Sequence, residues 1–116
     1  LNIEDIRNHC LSKKGVTECF PFDEDTLVFK VMGKMFCLTS LSEPDRMNLK
    51  CEPELAIQLR EQHPCVKPGF HMNKKMWNTV VIDGTVNRKT LRTWIDHSYD
   101  QVVQKLPKKD RVLLEK

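Results

Sequence analysis

Thr26-Leu27-Val28-Phe29-Lys30-Val31-Met32-Gly33-Lys34-Met35-Phe36-Cys37-Leu38-Thr39 is the stretch that decides the fold. Two runs rich in β-branched and aromatic residues, 26–31 and 34–39, are separated only by Met32-Gly33. A two-residue spacer with glycine supplying a positive φ angle marks a tight antiparallel hairpin. Period two then puts Leu27, Phe29 and Val31 on one face and Val28 and Lys30 on the other. Val16 to Phe20 and Arg46 to Lys50 read as further strands on either side, and Pro21 to Asp25 as a polar turn.

The sequence further out supplies helices to cover such a sheet. Ile3, Ile6, Cys10 and Leu11 recur at helical spacing, which predicts a helix over 3–14 closed by Gly15. Pro53 suits a first helical position, and Leu55, Ala56 and Leu59 carry a short helix to about Gln62, where His63-Pro64 stops it. Val66 to Phe70 is extended but broken at Pro68-Gly69, and Trp77 to Ile82 is a strand. Asn87 can cap a long helix from Arg88 to about Lys105, with Leu91, Trp94, Ile95, Ser98, Val102 and Leu106 as its buried stripe. Pro107 breaks it, and the lysine-rich end either forms a last short helix or frays. The order α-β-β-β-β-α-β-α predicts an α+β domain over 1–116: an antiparallel sheet with helices packed on one face. A nucleotide-binding parallel sheet is disfavoured, because no glycine-rich βα turn occurs.

Composition agrees with one core. Apolar residues make up 40% and charged residues 30% of the 116, enough for a domain without staples. Five cysteines at 10, 19, 37, 51 and 65, an odd count without C-x-x-C, read as small hydrophobes near the core of a cytoplasmic protein. No apolar run is long enough to cross a bilayer, and Asn2, Glu4, Asp5 and Arg7 interrupt any signal-like start. The expectation is a monomer with no membrane partner.

Motifs for chemistry are missing. There is no G-x-S-x-G, and no cysteine sits in a nucleophile context. The four histidines are scattered, with Cys65 and His71 six residues apart, and Asp23-Glu24-Asp25 lacks the ligand spacing of a calcium loop, so it reads as a solvated turn. A non-enzyme without metal or cofactor is expected.

Charge is more informative. Net charge is +3, but residues 1–58 carry seven Lys/Arg against ten Asp/Glu, whereas residues 59–116 carry twelve against six. An asymmetry of this kind suits an anionic partner on one face. Lys67-Pro68-Gly69-Phe70-His71-Met72-Asn73-Lys74-Lys75-Met76-Trp77-Asn78-Thr79 interleaves cations, a histidine, amides and aromatics. Lysines there can neutralise phosphates, while Phe70, Met72 and Trp77 read as core anchors. Arg88, Lys89 and Arg92 fall in the first turns of the long helix, where the macrodipole disfavours cations and free N–H groups favour anions. The candidate nucleic-acid contacts are therefore Lys34, Lys67, His71, Asn73, Lys74, Lys75, Arg88, Lys89 and Arg92.

Phe20-Pro21-Phe22, Val28 to Leu38, Gly69 to Val80 and Asp96-His97-Ser98-Tyr99 together resemble the MmcQ/YjbR family of small bacterial proteins. The F-K-V-x-G-K-x-F and H-M-N-K-K-x-W strings, in that order, carry the resemblance over nearly the whole chain; Cys37 stands where many relatives have a small residue such as Ala. The resemblance implies a frataxin/CyaY-like fold and DNA binding through two hairpin wings, one at Met32-Gly33-Lys34 and the other near Lys67–Lys75. Protein interaction or small-anion sensing on the same face is the alternative. Frataxin-like iron handling fits poorly, because the first helix offers only Glu4 and Asp5 against Arg7, Lys13 and Lys14.

Overall fold

The computed structural model describes residues 1–116. In chain order it contains α1 (Ile3–Leu11), β1 (Val16–Cys19), β2 (Thr26–Val31), β3 (Lys34–Ser40) and β4 (Arg46–Lys50). Then follow α2 (Pro53–Gln62), β5 (Val66–Pro68), β6 (Trp77–Val81), α3 (Arg88–Gln104) and α4 (Lys108–Leu114). The six strands form one sheet in the order β1-β2-β3-β4-β6-β5, and every neighbouring pair is antiparallel. The α+β reading holds, with helices on one face. The sequence reading differs at two places: α1 stops at Leu11 and gives way to a turn, and the extended segment at 66–68 is a sixth strand; of the two outcomes left open for the lysine-rich end, the short helix forms. Pro68 is tolerated because β5 is an edge strand.

The β2–β3 turn forms as the spacing demands, with Met32 at φ 49° and Gly33 at φ 82°. Both central residues are left-handed, the geometry that matches strand twist across a two-residue loop.

Strand alternation then separates two apolar groups. Leu27, Phe29, Val31, Cys37, Met47, Leu49 and Val80 face the helices and join Ile6, Cys10, Leu91, Ile95 and Val102 in the main core. Val28, Leu38 and Trp77 lie on the opposite face with Met35, Met72 and Met76 packed around them. Trp77 is thus buried, 8% exposed, but outside the helical core.

A bulge interrupts the ladder between β2 and β3, where Phe29 pairs with Cys37 but Lys30 pairs with Met35. Phe36 is the extra residue. Its carbonyl accepts from the Ser98 hydroxyl at 2.5 Å, and Ser98 Oγ in turn accepts from the Lys50 N–H at 2.8 Å. The adjacent β3–β4 ladder ends at Cys37–Leu49, so the hydroxyl bridges the next position. The residues around Ser98 tie α3 to other segments. Asp96 Oδ1 meets His9 Nε2 at 2.7 Å and Lys13 Nζ at 2.5 Å, His97 Nε2 accepts the Glu52 N–H at 3.1 Å, and Tyr99 O–H donates to the Lys14 carbonyl at 2.6 Å.

Carboxylates and amides close most ends and turns. Asn2 and Asp5 form a capping box on α1, Glu52 accepts from Glu54 and Leu55 N–H on α2, and Asn87 accepts from Thr90 N–H on α3. Asp23 accepts the Asp25 and Thr26 N–H groups, and Asp83 the Thr85 N–H and hydroxyl. Backbone N–H donors hold the Asp5, Asp23 and Glu52 carboxyls below their ordinary values, and the Thr85 hydroxyl leads for Asp83.

Three outcomes follow from this frame. Ser98→Ala strands a donor and a buried acceptor, so it should lower stability by about 3 kcal/mol in denaturant titration. Trp77→Ala should cost about 3–5 kcal/mol by the same measurement. Because the folded carboxyl values are depressed, their stabilisation is present above the unfolded values and disappears as pH falls through the folded ones. The melting temperature should therefore hold from neutral pH down to the ordinary carboxylate range and drop below it.

Candidate nucleic-acid interface

The sheet face away from the helices is built by simple alternation. Register places Lys30 of β2, Arg46, Asn48 and Lys50 of β4, Lys67 of β5, and Trp77 and Thr79 of β6 on it. No strand contributes an acid to this face. The only acidic strand residue, Glu18, faces the helices, where Arg7 grips both its oxygens at 2.8 and 2.7 Å. Lys30, Lys50 and Lys67 form no ion pair, and Arg46 meets Glu43 and Asp45 only at 3.7 and 3.6 Å. Acids gather instead in the loops at one end, at 23–25 and 43–45, while cations occupy the centre and the β2–β3 tip. At the tip, Lys34, Lys50 and Lys105 line one hollow with Trp77 at its side. Burial, and then the Lys105 charge, pulls the Lys50 ammonium below its ordinary value.

The segment from 69 to 76 is folded back over this face. Gly69 permits the approach, since a Cβ there would lie 2.8 Å from Trp77 Cβ and 2.9 Å from the Trp77 carbonyl oxygen. That oxygen accepts the Gly69 N–H at 2.9 Å. Phe70 N–H donates to Thr79 Oγ1 at 2.9 Å, and the Thr79 hydroxyl donates to Asn48 Oδ1 at 2.5 Å. Lys74 Nζ returns to the Gly69 carbonyl at 3.0 Å. Asn73 closes the turn through its carbonyl, which accepts the Met76 and Trp77 N–H groups, and through Oδ1, which accepts that of Lys75.

Between this segment and the β1–β2 loop lies a cleft of about 490 Å³. Arg46, Asn48 and Thr79 line it from the sheet, Phe22 from one loop, and Phe70 and His71 from the other. Phe22 and Phe70 are 64% and 65% exposed. Phe70 is therefore not the core anchor that its sequence context suggests; its backbone is held while its ring points outward. His71 takes φ 59°, strained for a non-glycine residue, and its ring stands 4.1 Å from that of Phe70 at 54°.

The nine candidate residues do not form one strip. Lys67, His71, Asn73, Lys74 and Lys75 belong to the open face and its covering loop, with Lys34 at the tip. Of these, Lys74 and Asn73 are spent on holding the loop. Arg88, Lys89 and Arg92 lie in the helical layer, where Arg88 and Arg92 act on the Asp5 carboxyl of α1. Asn87 already takes one N–H at that helix end. Sequence reading missed Lys30, Arg46, Asn48, Lys50, Lys105, Phe22 and the exposure of Phe70. The alternation in Arg46-Met47-Asn48-Leu49-Lys50 was the available signal for three of them.

A family model described as YjbR matches residues 11–101. An uncharacterised Escherichia coli K12 protein, YjbR, is 33% identical over 115 residues, 98% of each chain. The uncharacterised YbdF of E. coli O157:H7 is 38% identical over 109 residues, covering 93% of this chain and 89% of its own. The crystal structure of Deinococcus radiodurans DR2400, with a domain designated DUF419, superposes with TM-score 0.90 at 41% identity, over 97% of this chain and 87% of its own. With the family model spanning most of the sheet and helices, and a relative matched along almost its full length, this chain belongs to the YjbR family.

Proposed function

We propose that the protein is a non-catalytic nucleic-acid-binding module that holds phosphates on the open sheet face and the β2–β3 tip. One observation carries the reading: four strand cations, Lys30, Arg46, Lys50 and Lys67, share a face that receives no strand carboxylate. Lys34 and Lys105 extend the same sign of charge to the hairpin tip. Lysine predominates, and a flexible point charge suits phosphates better than base edges. The α3 cations Arg88, Lys89 and Arg92 stand apart from this surface and are not part of the proposed contact. The β2–β3 hairpin and the β5–β6 connection take the place of two wings on a frataxin/CyaY-like frame in this reading.

Contacts with about four to six phosphates give a log-log salt slope of about −4 to −5 on duplex DNA, with affinity on the order of micromolar or weaker at physiological salt. A Lys67→Glu, Lys75→Glu double variant, both side chains exposed and free of hydrogen bonds, should flatten that slope and leave the melting temperature unchanged. Fluorescence anisotropy over a salt series reads it. Absence of binding at low salt, or an unchanged slope in the variant, would mean that the face serves a protein partner instead.

A further inference from the structure

We infer that the cleft beneath Phe22 and Phe70 receives one unstacked base, so that the open face takes single strands in preference to duplex. The inference rests on the phosphate-binding reading and names the class of nucleic acid that this face fits. Three observations lead to it.

The first is the pair of rings. Phe22 and Phe70 are among the most exposed large apolar side chains of the chain, and both line the same cleft from different loops. Exposed aromatics above a cation-bearing sheet are the arrangement on which single-stranded bases stack. The backbone beneath Phe70 is pinned by the Gly69–Trp77 and Phe70–Thr79 hydrogen bonds, so the ring is presented on a fixed support.

The second is the floor. Asn48 Oδ1 is taken by the Thr79 hydroxyl, which leaves its amide N–H₂ as the free group. Arg46 keeps its Nε buried 3.6 Å from Asp45 Oδ1, while its part-exposed guanidinium lines the cleft and brings further N–H donors to it. A floor of donors selects a base edge of acceptors. Guanine presents O6 and N7 on one edge, and thymine and uracil present two carbonyl oxygens flanking a single N3–H, whereas adenine and cytosine each place an amino donor beside their acceptors.

The third is the charge around the cleft. Asp23 and Asp25 stand on one rim with their oxygens occupied by turn N–H groups and the Ser40 and Ser42 hydroxyls, and Glu43 on the same side faces Arg46 at 3.7 Å. Lys67 lies beside Thr79 on the other side, and Lys50 lies two residues along β4 from Asn48. A strand with its base in the cleft therefore runs away from the acidic loops, over the lysines toward the hairpin tip. Bases inside a duplex are stacked on both faces and cannot offer one to Phe22 or Phe70.

The test compares a short oligothymidylate with a duplex of equal length, for the parent and for Phe70→Ala, Phe22→Ala and Phe70→Tyr. The exposed rings should be removable with no change in melting temperature. Phe70→Ala should weaken the single strand about tenfold, leave the duplex unchanged and be rescued by Phe70→Tyr. Uncharged thymidine, followed by NMR, should shift the Phe70, His71 and Asn48 signals in the parent only. Equal binding of single strand and duplex with no effect of Phe70→Ala overturns the base cleft and leaves phosphate binding standing. If neither strand binds at low salt, the phosphate reading fails. Thymidine then judges the cleft alone, and a thymidine titration without shifts overturns it.

Discussion

The Ser98 hydroxyl is the point on which the architecture turns. A bulge at Phe36 bends β3 out of step with β2, and the β3–β4 ladder runs out one residue later. Left alone, the Phe36 carbonyl and the Lys50 N–H would face each other without a common partner. Ser98, wholly buried on α3, accepts from one and donates to the other. A side chain thereby stands in for a missing ladder rung, and the sheet and its covering helix become one unit. Any residue without a small two-way hydroxyl leaves buried polar groups unpaired, a larger loss than a missing apolar contact of the same size. Its neighbours Asp96, His97 and Tyr99 fix the same helix to α1, to the start of α2 and to the turn before β1, so α3 cannot slide along the sheet.

With every helix committed to one face, the opposite face is free. It keeps only a small apolar group around Trp77, enough to seat the 69–76 segment but not to call for a second layer. This division explains how a lysine-rich face can be tolerated. Facing the helices, an unpaired lysine would carry a heavy desolvation penalty, whereas on an uncovered face it stays hydrated and costs little. The single strand acid lies on the helix side, already held by Arg7, so no strand carboxylate offsets the exposed cations, and only Arg46 has loop acids nearby.

Most of the frame was legible in the sequence. The Met32-Gly33 spacer, the 2.0 period of 26–31 and the 3.6 period of 88–105 each encode local geometry, and local geometry is what such patterns report. β5 was not legible as a strand, because three residues with a proline have no periodicity of their own and depend on pairing with β6 for their identity. The site was read less well for a related reason. Clusters along the chain, such as Lys74-Lys75 or Arg88-Lys89, catch the eye, yet the face is assembled from alternate residues of four strands. Lys74 proved to be a clip on the Gly69 carbonyl, and the α3 cations were carried to the other side of the sheet.

Phe70 shows why sequence context misled. An aromatic between glycine and histidine, seven residues before a buried tryptophan, has the surroundings of a core residue. What sets its exposure is the backbone: the Gly69 N–H and the Phe70 N–H are both bonded to β6, one to the Trp77 carbonyl and the other to the Thr79 hydroxyl. Two consecutive amides directed at the sheet hold that piece of chain against β6, while the Phe70 ring remains largely in solvent. The following residue continues the chain only by taking a left-handed φ, and His71 does so at some conformational cost. A loop that spends backbone strain and two hydrogen bonds to leave a phenylalanine in solvent gains nothing in folding stability from that ring. It is on this ring that the proposed base cleft depends, since folding gives no other reason for its place.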